Sequence, residues 1–164
     1  MITLYHGSHS IVSQPLTNAG RLNLDFGKGF YLTKIKIQAE TWAKIVASRY
    51  GRDITPVLNE YVFDDVRAEQ DEIRIKRFMS YDMEWLDYVI SCRNGKDYSD
   101  VYDVVEGGVA NDKVIDTVED YEKGIISARQ ALGQLEFKKL NHQMCILNQP
   151  IIEKYLLFVN SYKL

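Results

Sequence analysis

The spacing of hydrophobic and polar positions changes several times along the chain, and each change marks an element. Residues 2–6, Ile2-Thr3-Leu4-Tyr5-His6, alternate as a short strand and run straight into Gly7-Ser8-His9-Ser10, a cluster with turn chemistry. Residues 18–26 read as a loop, and Gly27-Lys28-Gly29-Phe30-Tyr31-Leu32-Thr33 as a strand entered through two glycines. From Ile35 the period becomes helical, with Ile35, Ala39, Trp42, Ala43 and Val46 on one face until Gly51. Residues 57–63 predict a strand, and residues 71–92 a long helix that carries Ile75, Phe78, Met79, Trp85, Leu86, Val89 and Ile90 and is closed by Asn94-Gly95-Lys96. Residues 101–106 predict a strand, 114–116 another, and 118–132 an amphipathic helix with Gly133 as its stop. Residues 135–137 and 141–147 suggest strands, and residues 150–158 a final helix with Pro150 near its start. Helices and strands are mixed without regular βαβ alternation, so the expected class is α+β.

Composition narrows the function more than the fold. A chain of 164 residues with 46% hydrophobic residues can fill one core, and its prolines, Pro15, Pro56 and Pro150, stand singly with no linker or repeat between them, which predicts a single domain over residues 1–164. Twenty basic against 23 acidic side chains give a net charge of −3, which argues against a protein that binds by neutralising many phosphates. The run Arg74-Ile75-Lys76-Arg77 reads as a solvated face. Cys92 and Cys145 could form one bridge at most and lack zinc-site spacing, so a reducing cytoplasm is the expected location. No basic and apolar leader opens the chain and no run of about 18 apolar residues occurs, so neither export nor a membrane span is expected.

Dinucleotide-fingerprint, phosphate-loop, zinc-protease and nucleophile-elbow patterns are all missing. His6 and His9 stand three apart with no further ligand at a convincing spacing, so no metal site is expected. What remains is a pair of segments, Leu4-Tyr5-His6-Gly7-Ser8 and Asp25-Phe26-Gly27-Lys28-Gly29-Phe30-Tyr31-Leu32-Thr33, each a strand flanked by glycine and polar groups. An imidazole can bond a ribose hydroxyl, the backbone after it can meet an amide, and a tyrosine ring can stack on a flat heterocycle. Taken singly, a histidine at a strand end and a tyrosine in a strand have ordinary structural readings.

Together these residues resemble a known superfamily. Leu4-Tyr5-His6-Gly7-Ser8 looks like the first motif of the diphtheria-toxin and PARP-like ADP-ribosyltransferases, and Gly27-Lys28-Gly29-Phe30-Tyr31-Leu32 looks like their second. Most of the chain is similar to DUF3990, a family of small bacterial proteins often encoded in toxin–antitoxin-like contexts. The similarity lies in residues 4–8, residues 24–33, residues 38–43, residues 109–114 and His142-Gln143. The resemblance implies two small, mostly antiparallel sheets with flanking helices around an NAD cleft. It also implies a mono-ADP-ribosyltransferase that releases nicotinamide, acts on a protein or nucleic acid, and is the toxin of a toxin–antitoxin pair with an antitoxin as partner; the alternatives are an NAD glycohydrolase or a catalytically silent NAD- or partner-binding module. Implied roles put His6 on ribose, the Gly7 backbone on the carboxamide, Tyr31 on the ring and Gln143 at the 2′-hydroxyl, with Ser8, Gly29 and Phe30 lining the site and Arg21 and Lys28 near the pyrophosphate. Gln143 stands where the superfamily usually has glutamate, and an amide supplies neither charge nor basicity, a loss worth ~10²–10⁴ in rate. Asp25 and Asp112 are the acids that could compensate. His142 is left out, because it alternates with Gln143 along a strand.

Overall fold

The computed structural model describes residues 1–110, 112–135 and 141–164, and of residues 112 and 113 the backbone alone. In chain order the described elements are β1 (Ile2–Ser8), β2 (Phe30–Leu32), α1 (Lys36–Tyr50), β3 (Val57–Phe63), α2 (Asp65–Gln70), β4 (Ile75–Arg77) and α3 (Met83–Arg93), followed by β5 (Val104–Gly107), α4 (Asp112–Glu122), α5 (Ala128–Leu135), β6 (Gln143–Ile146), α6 (Gln149–Tyr155) and β7 (Leu156–Lys163). The class is α+β, with two sheets that are antiparallel except at one pairing. Among the described residues one sheet has the order β1-β3-β7, the other β2-β6-β5-β4, and only β4 with β5 runs parallel.

The alternation of each strand decides which core it fills. Leu4 of β1 and Tyr61 and Phe63 of β3 meet Phe30 and Leu32 of β2 and Met144 and Ile146 of β6 between the sheets. Across the other face of the second sheet, Val105 and Cys145 pack with Trp85, Leu86, Val89 and Cys92 of α3 and with Val114, Val118, Ala131 and Leu135 of α4 and α5. Helix α1 lies against β1 through Ala39, Ala43 and Ala47, a small-residue face at a spacing of four. Its approach is so close that a Cβ on Gly7 would stand 2.1 Å from the Ala39 carbonyl oxygen and 2.6 Å from the Ala43 nitrogen.

Several expected elements are corrected by local chemistry. The helix expected over residues 71–92 is a short strand and a shorter helix: Glu72 takes φ +53°, Ile75–Arg77 pair with β5, and Asp82 starts α3 by accepting the Trp85 N–H at 2.9 Å. Met79, expected on an apolar face, is 82% exposed. The amphipathic run from Val118 is two helices, interrupted at Gly124 and restarted by Ser127 and Gln130, whose side chains bond each other's backbone N–H. Residues 114–116 belong to α4 rather than to a strand, and Gly133 lies within α5 instead of stopping it. Leu135 ends α5; residues 136 and 137, expected in a strand, lie outside the described residues. The final helix stops at Tyr155, and β7 continues from it along β3. On α1, Trp42 turns outward under the Arg49 guanidinium, and Ala47 takes the packed position expected of its neighbours.

Candidate functional site

The two sheets touch edge to edge at one point. Tyr5 N–H donates to the Thr33 carbonyl at 2.8 Å, and Thr33 N–H returns the bond to Tyr5 at 2.9 Å. Among the described residues this is the one backbone bridge between β1 and the β2 side, and next to it the His6 imidazole joins the two strands, its Nδ1 lying 2.8 Å from the Tyr31 carbonyl oxygen. A carbonyl only accepts, so Nδ1 carries the proton and Nε2 is left as an acceptor. Burial pushes the His6 pKa below its ordinary 6.5, against the opposing pull of the Tyr31 carbonyl, so the ring is neutral at pH 7. Backbone groups alternate sides along a strand, so the N–H and C=O of Gly7 point the same way as those of Tyr5, away from β3.

Tyr31 and Gln143 share one face of the second sheet, because Tyr31 pairs with Cys145 and Gln143 lies two residues along β6. The loop residues Asp25, Phe26 and Gly27 fasten both. The Tyr31 hydroxyl donates to the Gly27 carbonyl at 2.7 Å and accepts the Phe26 N–H at 3.0 Å. Burial raises its pKa well above the usual 10, so it stays a neutral donor and acceptor. Asp25 is buried: its Oδ1 receives Nε and Nη2 of Arg93 at 3.0 and 2.7 Å, and its Oδ2 receives the Ala110 N–H at 2.8 Å and Gln143 Nε2 at 3.3 Å. Gln143 Nε2 also donates to the Gly108 carbonyl at 3.2 Å, an oxygen shared with the Trp85 indole N–H at 3.1 Å.

The remaining predicted residues have plainer places. Ser8 is buried and accepts the Ser10 N–H at 3.4 Å, a turn contact. Phe30 points to the opposite face from Tyr31, into the core between the sheets, with its ring centroid 4.6 Å from that of His6; it supports the imidazole from behind. Gly29 is required by packing, since a Cβ there would lie 2.5 Å from Cys145 Sγ. Arg21 and Lys28 are exposed, and Arg21 follows Gly20, which sits over the Gly29 carbonyl. The Asp112 side chain lies outside the described residues. His142 reaches a different carboxylate from Gln143: its Nε2 lies 2.8 Å from Glu106 Oε1, which also takes Lys34 Nζ at 2.5 Å, while Arg77 Nε meets Glu106 Oε2 at 3.3 Å. Burial works to raise the Glu106 pKa, but the bonds from His142 and Lys34 outweigh it and hold it at about 2. Buried among apolar side chains, the Cys92 thiol is pushed up to about 12 and that of Cys145 is raised as well, so neither is a ready nucleophile.

Sequence reasoning missed Arg93, Gly108 and Ala110, which complete the surroundings of Asp25. Arg93 stands in the last turn of α3, and nothing in the sequence links it to a carboxylate 68 positions earlier. Among the described residues no group of three or more His, Cys, Asp or Glu stands close enough to hold a metal ion, and no helix is long and apolar enough to cross a membrane.

A family model described as "Protein of unknown function (DUF3990)" matches residues 2–158. The chain belongs to DUF3990. That match takes in every described element from β1 to α6 and the first three residues of β7. No curated protein and no solved structure matches this DUF3990 chain.

Proposed function

We propose that this DUF3990 protein is an NAD-dependent mono-ADP-ribosyltransferase whose substrate lies along the seam between the sheets. The observation that carries the reading is the convergence of the first and second motifs at one bond, His6 Nδ1 to the Tyr31 carbonyl, with the Gly7 backbone turned away from β3 beside it. In this reading the Gly7 N–H and C=O clamp the carboxamide of nicotinamide, the half-buried Tyr31 ring stacks on the heterocycle, and His6 Nε2 accepts a ribose hydroxyl. Gln143 meets the 2′-hydroxyl of the nicotinamide ribose. The glycosidic bond breaks with its electron pair leaving on nicotinamide, and a nucleophile of the acceptor attacks the anomeric carbon and loses its proton to solvent.

Without a carboxylate at position 143 the developing positive charge is met by dipoles alone, and turnover is slow. Asp25 does not replace the missing base, because Arg93, Ala110 and Gln143 already occupy its oxygens. That same saturation favours a second reading, a module that binds NAD without cleaving it. A protein or nucleic-acid acceptor and an antitoxin partner remain part of the proposal through the family resemblance, as does water as an alternative acceptor.

The test is nicotinamide release from NAD by the purified protein, with and without cell lysate, beside a Tyr31→Ala control. Release that needs lysate and is lost in the control is the expected result. Release in buffer alone identifies a glycohydrolase, binding without release the silent module, and no binding contradicts the assignment.

A further inference from the structure

The environment of Gln143 explains why an amide stands there. Its Nε2 faces the Gly108 carbonyl at 3.2 Å and Asp25 Oδ2 at 3.3 Å. A carbonyl and an ionised carboxylate can only accept, so the amide has one allowed orientation: Nε2 toward this pair and Oε1 away from it. Asp25 is itself immobilised by the two-pronged Arg93 contact and the Ala110 N–H, so the direction imposed on the amide is set by the fold and not by a mobile side chain.

We propose that Asp25, braced by Arg93, is a positioning residue that fixes the Gln143 amide with its carbonyl presented to the substrate, and that this makes glutamine, not glutamate, the residue the site accepts. The orientation rests on hydrogen-bond chemistry alone; its use on a ribose hydroxyl rests on the NAD reading. A carboxylate at position 143 would put oxygen against Asp25 Oδ2 and the Gly108 carbonyl, three acceptors and no proton between them. Two carboxylates at that distance cannot both ionise, so the folded state would hold a proton that the unfolded state releases. Restoring the superfamily's glutamate would therefore damage this site, unless Asp25 gave up its charge at the same time. With Asp25→Asn and Gln143→Glu together, an amide N–H at position 25 can donate to the carboxylate at position 143, and the net charge of Arg93 and the two side chains is that of the native protein.

The experiment compares the native protein, Gln143→Glu, Asp25→Asn and the double variant, by thermal unfolding from pH 5 to 8 and by NAD binding and nicotinamide release. Gln143→Glu is expected to lower Tm at pH 8 by roughly 5–10 °C and to recover toward pH 5, because a carboxyl whose folded pKa is raised stabilises below its unfolded pKa and loses that stability as pH rises. The double variant regains at least half of that loss at pH 8 and surpasses Gln143→Glu in NAD affinity or release by about tenfold or more. A merely structural Asp25 would predict losses that add, with no pH-dependent rescue. If Gln143→Glu is as stable as the native protein at pH 8, or raises activity with Asp25 in place, the proposal is overturned. Rescue in unfolding without NAD binding by any of the four upholds the orientation and removes the NAD reading; NAD binding by the native protein without any rescue does the reverse.

Discussion

Neighbouring residues at the start of β6 reach two carboxylates that are held in opposite ways. His142 meets Glu106, whose oxygens are also shared by Lys34 and Arg77 at the end of the sheet. Gln143 meets Asp25, which has one cation, Arg93, on one oxygen and neutral N–H donors on the other. A carboxylate surrounded by cations ties strands together and has nothing left to direct. One that divides its oxygens between a cation and an amide can transmit a fixed orientation to the amide. A charge adjacent to a candidate site matters by what it leaves to be oriented, not by how strongly it is paired.

The largest effect that would sharpen this contrast is expected from Asp25→Ala. It strands the partly buried Arg93 and removes the acceptor of Ala110 N–H and Gln143 Nε2, at a cost of about 3–5 kcal/mol, or roughly 6–15 °C in Tm by thermal unfolding. A loss no greater than that of Glu106→Gln would make the two carboxylates equivalent and break the comparison. Glu106→Gln keeps the shape and weakens the bonds from Lys34, His142 and Arg77, for about 1–3 kcal/mol at pH 7. Its folded pKa of about 2 lies below the ordinary 4.5, so the carboxylate's contribution is complete above pH 4.5 and fades as pH falls toward 2. The gap in stability between native protein and variant should close over that same interval.

Tyr31→Phe keeps the ring and deletes the bonds to Gly27 and Phe26, costing about 1–2 kcal/mol of stability. NAD affinity, which stacking on the ring would carry, should change by no more than about fivefold. A far larger loss would show that the hydroxyl, through the loop it fastens, organises the site. The smallest effect is at His6. Because its folded pKa is lowered from 6.5, the unfolded chain takes up the proton first, and stability falls as pH drops below 6.5. His6→Gln should flatten that part of the pH profile, and an unchanged slope would mean the imidazole is not held neutral.

Strand β3 and helix α1 were legible because their periods are clean, with Gly51 as the stop of α1; β1 was legible over residues 2–6 but runs on through Gly7 and Ser8, where turn chemistry is expected, because both residues pair with β3. The region from Asp71 to Cys92 was misread because Ile75, Phe78 and Trp85 satisfy a helical spacing while lying in a strand, a connection and a helix. The missing information was the Asp82 cap and the pairing of β4 with β5, and pairing is decided by residues about 29 positions away. At the site, His6, Gly7, Tyr31 and Gln143 were legible as residue types in motifs. Their fastening was not, since the Asp25, Arg93 and Ala110 contacts each join distant segments, and a local pattern holds no record of such a bond.

On the proposed reading the Tyr31 and Gln143 face, and not the Glu106 end, carries NAD. Calorimetric titration of NAD into native protein, Tyr31→Ala and Glu106→Gln at pH 7.5, with folding checked in each, tests it most directly. Tyr31→Ala should lose affinity by about a hundredfold, and Glu106→Gln should keep it within about threefold. Equal affinity in native protein and Tyr31→Ala, or loss in Glu106→Gln alone, would contradict it.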